Sequence, residues 1–404
     1  MFLDVTRRRN PALILATQKL HQAGAIPANS YVLDLDTVED NARLLKAEAN
    51  RLGLKVFAMT KQVSRNSGFC AAVKRGGIDK AVAVDMACAV ACHKAGLAIG
   101  HLGHLVQIPR AEAAQAAALN PDYWTVFSMD KAREAAAAAR KLGNTQKILL
   151  RVQTSGDTFY RGHEGGFPAE MAADAAREVT KLEGAQFTGI TTFPAQLYDH
   201  ATLAIRHTPN LATLSRTAEA LRRSGFDNIE INAPGTTSTV TLAALANAGA
   251  TQVEPGNGLH GTTPLHAIED LPERPAVVYL SEVSHLYHDQ AYCFGGGLYV
   301  DPVFPNYDVK ALVSPEPTTD DEALNSVEIP PPAAIDYYGM IKIGRNANVK
   351  TGDTVVFGFR GQSFVTRANV VGLSGVSTGN PKIISIEDSF GQPALFQQAN
   401  GGRK

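Results

Sequence analysis

From Ser30 to Glu254 the sequence alternates short β-branched and apolar runs with alanine-rich stretches at helical spacing, the pattern of repeated β/α units. Strands so apolar must be buried on both faces, which restricts the chain to a parallel sheet covered by helices. Strands are expected over Tyr31 to Asp36, Val56 to Met59, Ala81 to Val84, Gly103 to Ile108, Trp124 to Phe127, Lys147 to Val152, Phe187 to Thr192, Asn228 to Asn232 and Gln252 to Glu254. Helices are expected over Val38 to Leu52, Ala87 to Ala98, Lys131 to Leu142, Ala169 to Leu182 and Thr239 to Ala248. Close to eight such repeats fit a (β/α)8 TIM barrel within the α/β class. The alternative, a doubly wound open sheet, needs a topological switch point and usually a Gly-x-Gly-x-x-Gly turn after the first strand, and neither is evident.

After Pro272 the texture changes to short strands with glycine-rich turns. Val277 to Leu286, Gln290 to Tyr299, Tyr337 to Ile343, Asp353 to Phe359 and Val365 to Leu373 specify an all-β domain. Ser314 to Pro332, rich in proline, acids and small polar residues, reads as a loop, and the tail from Gln397 as frayed. The expected division is a barrel over 1–275, with an N-terminal extension over 1–29, and a C-terminal β domain over 276–404. With 38 basic against 39 acidic side chains, no electrostatic footprint for nucleic acid or an anionic membrane is visible. The one basic run, Arg7-Arg8-Arg9, leads into Asn10-Pro11 rather than an apolar signal segment, so a cytoplasmic protein is expected. Four cysteines in 404 residues exclude a disulfide scaffold. Cys88, Cys92 and His93 fall on an alanine-rich helix with no second ligand pair at zinc spacing, so no metal site is expected.

The chemistry-bearing residues lie at strand ends. Lys61 follows the apolar run Val56 to Met59, at the carboxyl edge where parallel barrels place their active sites. A lysine against an apolar wall loses hydration, and its amine becomes competent to form a Schiff base with a carbonyl cofactor, although a surface lysine at a strand end looks the same. Asn232-Ala233-Pro234-Gly235-Thr236-Thr237-Ser238 follows one late strand and opens a helix, so backbone N–H groups and three hydroxyls meet a helix N-terminus. Glu254-Pro255-Gly256-Asn257-Gly258 follows the next strand. Each loop alone is compatible with a capped turn. Together they fall where such barrels commonly bind phosphate, and with Lys61 they point to a phosphate-bearing aldehyde cofactor.

These residues give the chain a resemblance to the alanine-racemase-like, fold-type III pyridoxal-phosphate enzymes, and within them to the YhfX-like branch. The likeness runs from Tyr31-Val32-Leu33-Asp34-Leu35-Asp36 through the β domain. It implies pyridoxal 5'-phosphate as cofactor and Lys61 as the Schiff-base lysine. The segment ending Tyr160-Arg161-Gly162-His163-Glu164-Gly165-Gly166-Phe167 resembles the motif whose arginine contacts the cofactor ring hydroxyl, which assigns that role to Arg161. Cys293-Phe294-Gly295-Gly296-Gly297-Leu298-Tyr299 is similar to the turn carrying the racemase tyrosine, which in the family enters the site from the partner subunit. The resemblance therefore implies a homodimer with shared active sites.

The departures carry information too. The family's Lys-x-x-x-Tyr-Gly stretch is here Lys61-Gln62-Val63-Ser64-Arg65-Asn66, so Ser64 or Arg65 stands in for the phosphate-binding tyrosine. Phe193 occupies the place of a ring-stacking histidine and offers packing without charge. Glu254 stands where alanine racemases have arginine and related decarboxylases glutamate. A carboxylate facing the pyridine nitrogen holds a proton there and strengthens electron withdrawal from the substrate Cα, which serves racemisation and decarboxylation alike. The expected function is racemisation or epimerisation of an amino acid, with Lys61 and Tyr299 as opposed bases. The alternatives are a fold-type III decarboxylase and a non-catalytic cofactor carrier. The expected cofactor contacts are Lys61, Arg161, Phe193, Asn232, Gly235, Thr236, Thr237, Ser238, Glu254, Gly256 and Asn257. Arg65, His163, His260 and Arg360 either receive an acidic substrate or are solvated.

Overall fold

A computed structural model describes residues 1–300, 308–343 and 348–396. The expected tail from Gln397 lies outside the described residues. The chain divides into two compact units. One comprises Ala42–Thr60 and Val73–Leu259, and the other Met1–Asn41, Lys61–Ala72 and His260–Lys404.

The first unit is a parallel barrel. Its strand order is Lys55–Val56, Gln252–Val253, Glu230–Asn232, Ala185–Thr191, Gln146–Gln153, Tyr123–Val126, Ala98–Leu102, Lys80–Ala83 and Ala58–Met59. The two end segments are consecutive in the chain, broken only at Phe57, so they form one stave and close the ring. Val56 pairs with Val253 on one side, while Met59 pairs with Val82 on the other. Phe57 N and Met59 N donate to the carbonyls of Val253 and Pro255 at 3.0 and 2.9 Å, which carries the ladder past the break. The covering helices use alanine to approach the sheet closely. In Met129–Lys141 the buried Ala132, Ala135, Ala136 and Ala139 recur at i, i+3, i+4 and i+7, one face of the helix.

Three expected elements are corrected. Gly103 to Ile108 is not a strand: the stave is Ala98–Leu102, and Gly103 turns the chain out of the sheet at φ +76°. A Cβ there would lie 2.7 Å from the Thr125 carbonyl oxygen, and Val106, half exposed, has left the core. Tyr31 to Asp36 belongs to the other unit's sheet, as Ser30–Asp34 between Val277–Tyr287 and Asn369–Ser374. Its five consecutive buried residues read like a barrel stave, because burial on both faces gives the same pattern in either sheet. The stretch from Ser314 to Pro332 contains a strand, Leu324–Glu328, which pairs with Lys310–Ser314 and Tyr338–Lys342.

The second unit is built on a nine-stranded sheet ordered Gln290–Phe294, Tyr338–Lys342, Leu324–Glu328, Lys310–Ser314, Thr354–Phe357, Val277–Tyr287, Ser30–Asp34, Asn369–Ser374 and Lys382–Glu387. Gln290–Phe294 also pairs with Val277–Tyr287, so six of these strands close on themselves. The N-terminal helices Phe2–Arg9 and Pro11–Gln22 supply Leu3, Leu13 and Ile14 to a core with Val32, Val278, Leu280, Leu312, Val356 and Val371. Asn10 starts the second helix by accepting from Leu13 N at 3.3 Å, while its amide donates to Asp34 and to the Pro275 carbonyl. No helix among the described residues is long and apolar enough to cross a membrane.

Candidate active site

Within the barrel unit, chemistry gathers around Glu254, the first residue after the strand Gln252–Val253. The residue is only 4% exposed. One oxygen, Oε1, accepts from His101 Nδ1 at 2.5 Å and from Asn232 Nδ2 at 2.9 Å. The other, Oε2, has no hydrogen-bond partner among the described residues and lies 3.5 Å from His104 Nε2. Burial disfavours the ionised carboxyl. The nearby rings of His104 and His101, with the hydrogen bonds from His101 and Asn232, outweigh that and hold Glu254 below the usual glutamate range. His101 is placed by the strand Ala98–Leu102, with its Nε2 2.6 Å from the Thr125 hydroxyl. Asn232 is fixed in turn by the Thr191 hydroxyl, which donates to its Oδ1 at 2.7 Å. The Phe193 ring meets His104 edge-to-face at 5.5 Å, and packs at 5.9 Å from Tyr160.

The two loops expected to cradle phosphate touch one another. A Cβ on Gly258 would lie 2.5 Å from the Thr237 carbonyl oxygen, so only glycine permits that approach. A Cβ on Gly235 would lie 2.7 Å from the Gln196 backbone, and Thr236 N donates to the Gln196 carbonyl at 3.1 Å. Thr237 and Ser238 are buried, and Ser238 precedes the helix Thr239–Asn247, its amide donating to Thr241 Oγ1 at 3.0 Å. Gly256 and buried Asn257 form the turn closed by Leu259 N on the Gly256 carbonyl at 2.9 Å.

Of the two arginines in the segment 151–167, Arg151 is the buried one and Arg161 is exposed on the loop. Arg151 Nη2 donates to the His163 carbonyl at 2.6 Å, and its guanidinium lies 4.7 Å from the Phe127 ring centre. Burial pushes its pKa down to about 10 against the opposing charge of Glu164. Its Nε and Nη1 have no hydrogen-bond partner among the described residues.

The other unit carries Lys61 and Tyr299. Lys61 opens the short helical turn Lys61–Val63 and is half-buried, its Nζ 5.3 Å from the Phe364 ring centre. Ser64 and Arg65 follow in the left-handed region at φ 55° and 57°, a conformation that side chains rarely adopt without compensating contacts. One such contact joins the hydroxyls of Ser64 and Ser363 at 2.6 Å, and Ser363 also donates to the Gln62 carbonyl at 2.9 Å. Tyr299 is 44% exposed, and the turn before it is pinned by the Tyr31 hydroxyl, which donates to the Gly297 carbonyl at 2.7 Å.

Arg65 and His260 are buried, which excludes a solvated role for either, whereas His163 and Arg360 are half-buried. His260 Nδ1 is 2.9 Å from the Thr262 hydroxyl. Burial and the charges of Arg360 and His266 push its pKa down to about 3. His101, His104 and Thr125 are absent from the residues expected from sequence. Two histidines three apart at a strand end were the available signal, obscured by placing the strand at Gly103 to Ile108.

Residues 33–264 match the family model of the alanine racemase N-terminal domain, and residues 278–383 that of the YhfX-like C-terminal domain. The chain belongs to the alanine racemase family of fold-type III pyridoxal-phosphate enzymes. It is 38% identical over 397 residues to the uncharacterized protein YhfX of Escherichia coli (strain K12), covering 97% of this chain and 99% of that one. Solved structures of similar fold include alanine racemase of Clostridium difficile 630 in complex with cycloserine, with TM-score 0.63, 16% identity and coverage of 90% and 99% of the two chains. D-threonine aldolase from Filomicrobium marinum matches with TM-score 0.64, 16% identity and coverage of 92% and 98%. D-threo-3-hydroxyaspartate dehydratase from Delftia sp. HT23 matches with TM-score 0.64, 16% identity and coverage of 90% and 98%. Relatives at this distance share the fold with one another and with this chain while differing in reaction.

Proposed function

We propose that this chain is a pyridoxal-phosphate-dependent racemase or epimerase of an amino acid. The observation that supports the cofactor is the buried Glu254, with one oxygen accepting from two donors and the other without a hydrogen-bond partner among the described residues, while the choice of racemisation rests on the pair Lys61 and Tyr299 that the family resemblance gives. That arrangement fits a protonated pyridine nitrogen, since a buried acceptor without a donor is costly and an N–H donor relieves it. The close-packed loops around Thr237 and Gly258, beside a helix N-terminus, fit the cofactor's phosphate.

When bound, pyridoxal phosphate supplies an electron sink for negative charge developing at the substrate Cα. Glu254 holds the ring proton that makes the sink effective. Lys61 provides the amine that anchors the aldehyde carbon and takes up or returns a proton at Cα. Tyr299 does the same from the opposite face, as inversion requires. Phe193 packs beside the ring, and Arg161 or the buried Arg151 receives its hydroxyl. By family resemblance the functional form is a homodimer, with Tyr299 contributed by a second copy.

The test is a chiral screen of amino acids in deuterated water with the reconstituted protein. Deuterium at Cα together with loss of optical purity supports the reading. Release of carbon dioxide without racemisation replaces it with decarboxylation, and binding without either outcome leaves a carrier.

A further inference from the structure

Glu254 lies within a larger hydrogen-bonded network than its own contacts suggest. A carboxylate only accepts, so the short contact to His101 Nδ1 requires the proton to sit on that nitrogen. In the neutral ring this leaves Nε2 as an acceptor, and the Thr125 hydroxyl at 2.6 Å is placed to donate to it. Thr125 thereby selects the tautomer of His101. Both donors to Glu254 act on the same oxygen, Oε1, which fixes the carboxylate plane and leaves Oε2 for a further partner. His104 stands beyond hydrogen-bond length from Oε2, at 3.5 Å, and is braced by the edge of Phe193 and by the His101 ring at 5.2 Å. Its charge favours the ionised carboxylate without occupying the open oxygen.

We propose that His101, with its tautomer set by Thr125, and His104 are positioning residues that keep Glu254 ionised and leave Oε2 available to a cationic N–H donor. This rests on the reading above for the identity of that donor, the pyridinium of the cofactor. The network itself is a property of the protein alone. Without these partners a carboxyl this deeply buried takes up a proton, and a protonated Glu254 has no capacity to hold the cofactor's ring proton. His101 in particular acts through Glu254 rather than on substrate.

The experiment begins with the cofactor-free, full-length protein. Infrared difference spectra between the wild type and Glu254→Gln isolate the Glu254 band at neutral pH. The wild type should show an ionised carboxylate. His101→Leu should convert it to the protonated carbonyl band, and His101→Asn, whose amide nitrogen stands near the position of Nδ1, should restore the ionised form. A folded His101→Leu variant with an unchanged carboxylate band overturns the proposal. Should that variant not fold, nitrogen-15 spectra of the wild-type histidines decide: His101 must carry its proton on Nδ1, and a ring protonated only on Nε2 overturns it.

The cofactor reading is tested separately, by the protonation of ring-labelled pyridoxal phosphate in the reconstituted protein. If the network behaves as stated while the ring nitrogen is unprotonated, the assignment of the donor falls and the network stands. If the ring nitrogen is protonated while His101→Leu leaves the carboxylate ionised, the role of His101 falls and the cofactor reading stands.

Discussion

Each unit buries a histidine-rich polar cluster, and the two have opposite electrostatic character. In the barrel unit, His101 and His104 surround a carboxylate, and Glu254 stays ionised despite being enclosed. In the other, His260 is buried against Arg360 and His266, and stays neutral down to about pH 3. Burial alone therefore does not set the charge of a group in this molecule. Burial opposes charge in both clusters; around Glu254 the neighbouring histidines and hydrogen-bond donors outweigh it, whereas at His260 the charges of Arg360 and His266 add to it.

Loss of Lys61 should be the most damaging single change. Lys61→Ala should lose turnover by about a thousandfold or more, and should lose the covalent lysine adduct that borohydride reduction traps in the wild type. An adduct on another lysine sinks the assignment. Mixed with Tyr299→Phe under subunit exchange, the same variant should regain activity, because one site in the heterodimer is then intact. No recovery in demonstrated heterodimers places Tyr299 in its own subunit's site or removes it as a base.

Next comes a direct contrast between the clusters. Glu254→Gln should slow deuterium exchange at the substrate Cα by about tenfold to a hundredfold, each ~1.4 kcal/mol lost from carbanion stabilisation being tenfold. Cofactor affinity should hardly change. His260→Asn, which keeps a donor toward Thr262, should leave exchange within about twofold. A slower rate in the second variant and not the first would reverse the contrast.

The clusters also differ in acid. The folded pKa of His260 lies below its unfolded value near 6.5, so the unfolded chain takes up a proton that the folded one refuses. Its contribution is fully present above about pH 6.5 and falls as the pH drops toward 3, at up to ~1.4 kcal/mol per pH unit. The Glu254 contribution is present above the ordinary glutamate value of 4.5 and is lost only as the pH falls through its lower folded value. Between pH 6.5 and 5 the wild type should lose stability that His260→Asn retains, as read from denaturation midpoints. Parallel losses in both proteins would remove His260 as the source. The smallest effect is expected at an exposed pair, Arg140 with Glu183 at 2.9 Å: Glu183→Ala should change stability by less than ~0.5 kcal/mol.

What could be seen from sequence follows from how local each signal is. Alternating strands and alanine-rich helices report their own burial, which is why the barrel was legible. Assigning Ser30–Asp34 to a sheet was not, since its partners Val277–Tyr287 and Asn369–Ser374 lie far along the chain. Glu254 stood out because a single residue type changes the electronics of a cofactor ring. His101 and Thr125 did not, because their meaning arises only when neighbouring staves bring them 2.6 Å apart. In the segment 151–167, spacing favours Arg161, while burial distinguishes Arg151, and sequence spacing carries no information about burial of a long polar side chain.

On the proposed function, the barrel's buried carboxylate maintains a positive charge on the cofactor ring. The nitrogen-15 shift of pyridoxal phosphate labelled at the ring nitrogen and bound to the wild-type protein measures this directly. The nitrogen should be protonated in the wild type and lose that proton in Glu254→Gln, and an unprotonated nitrogen in the wild type would overturn the role of Glu254.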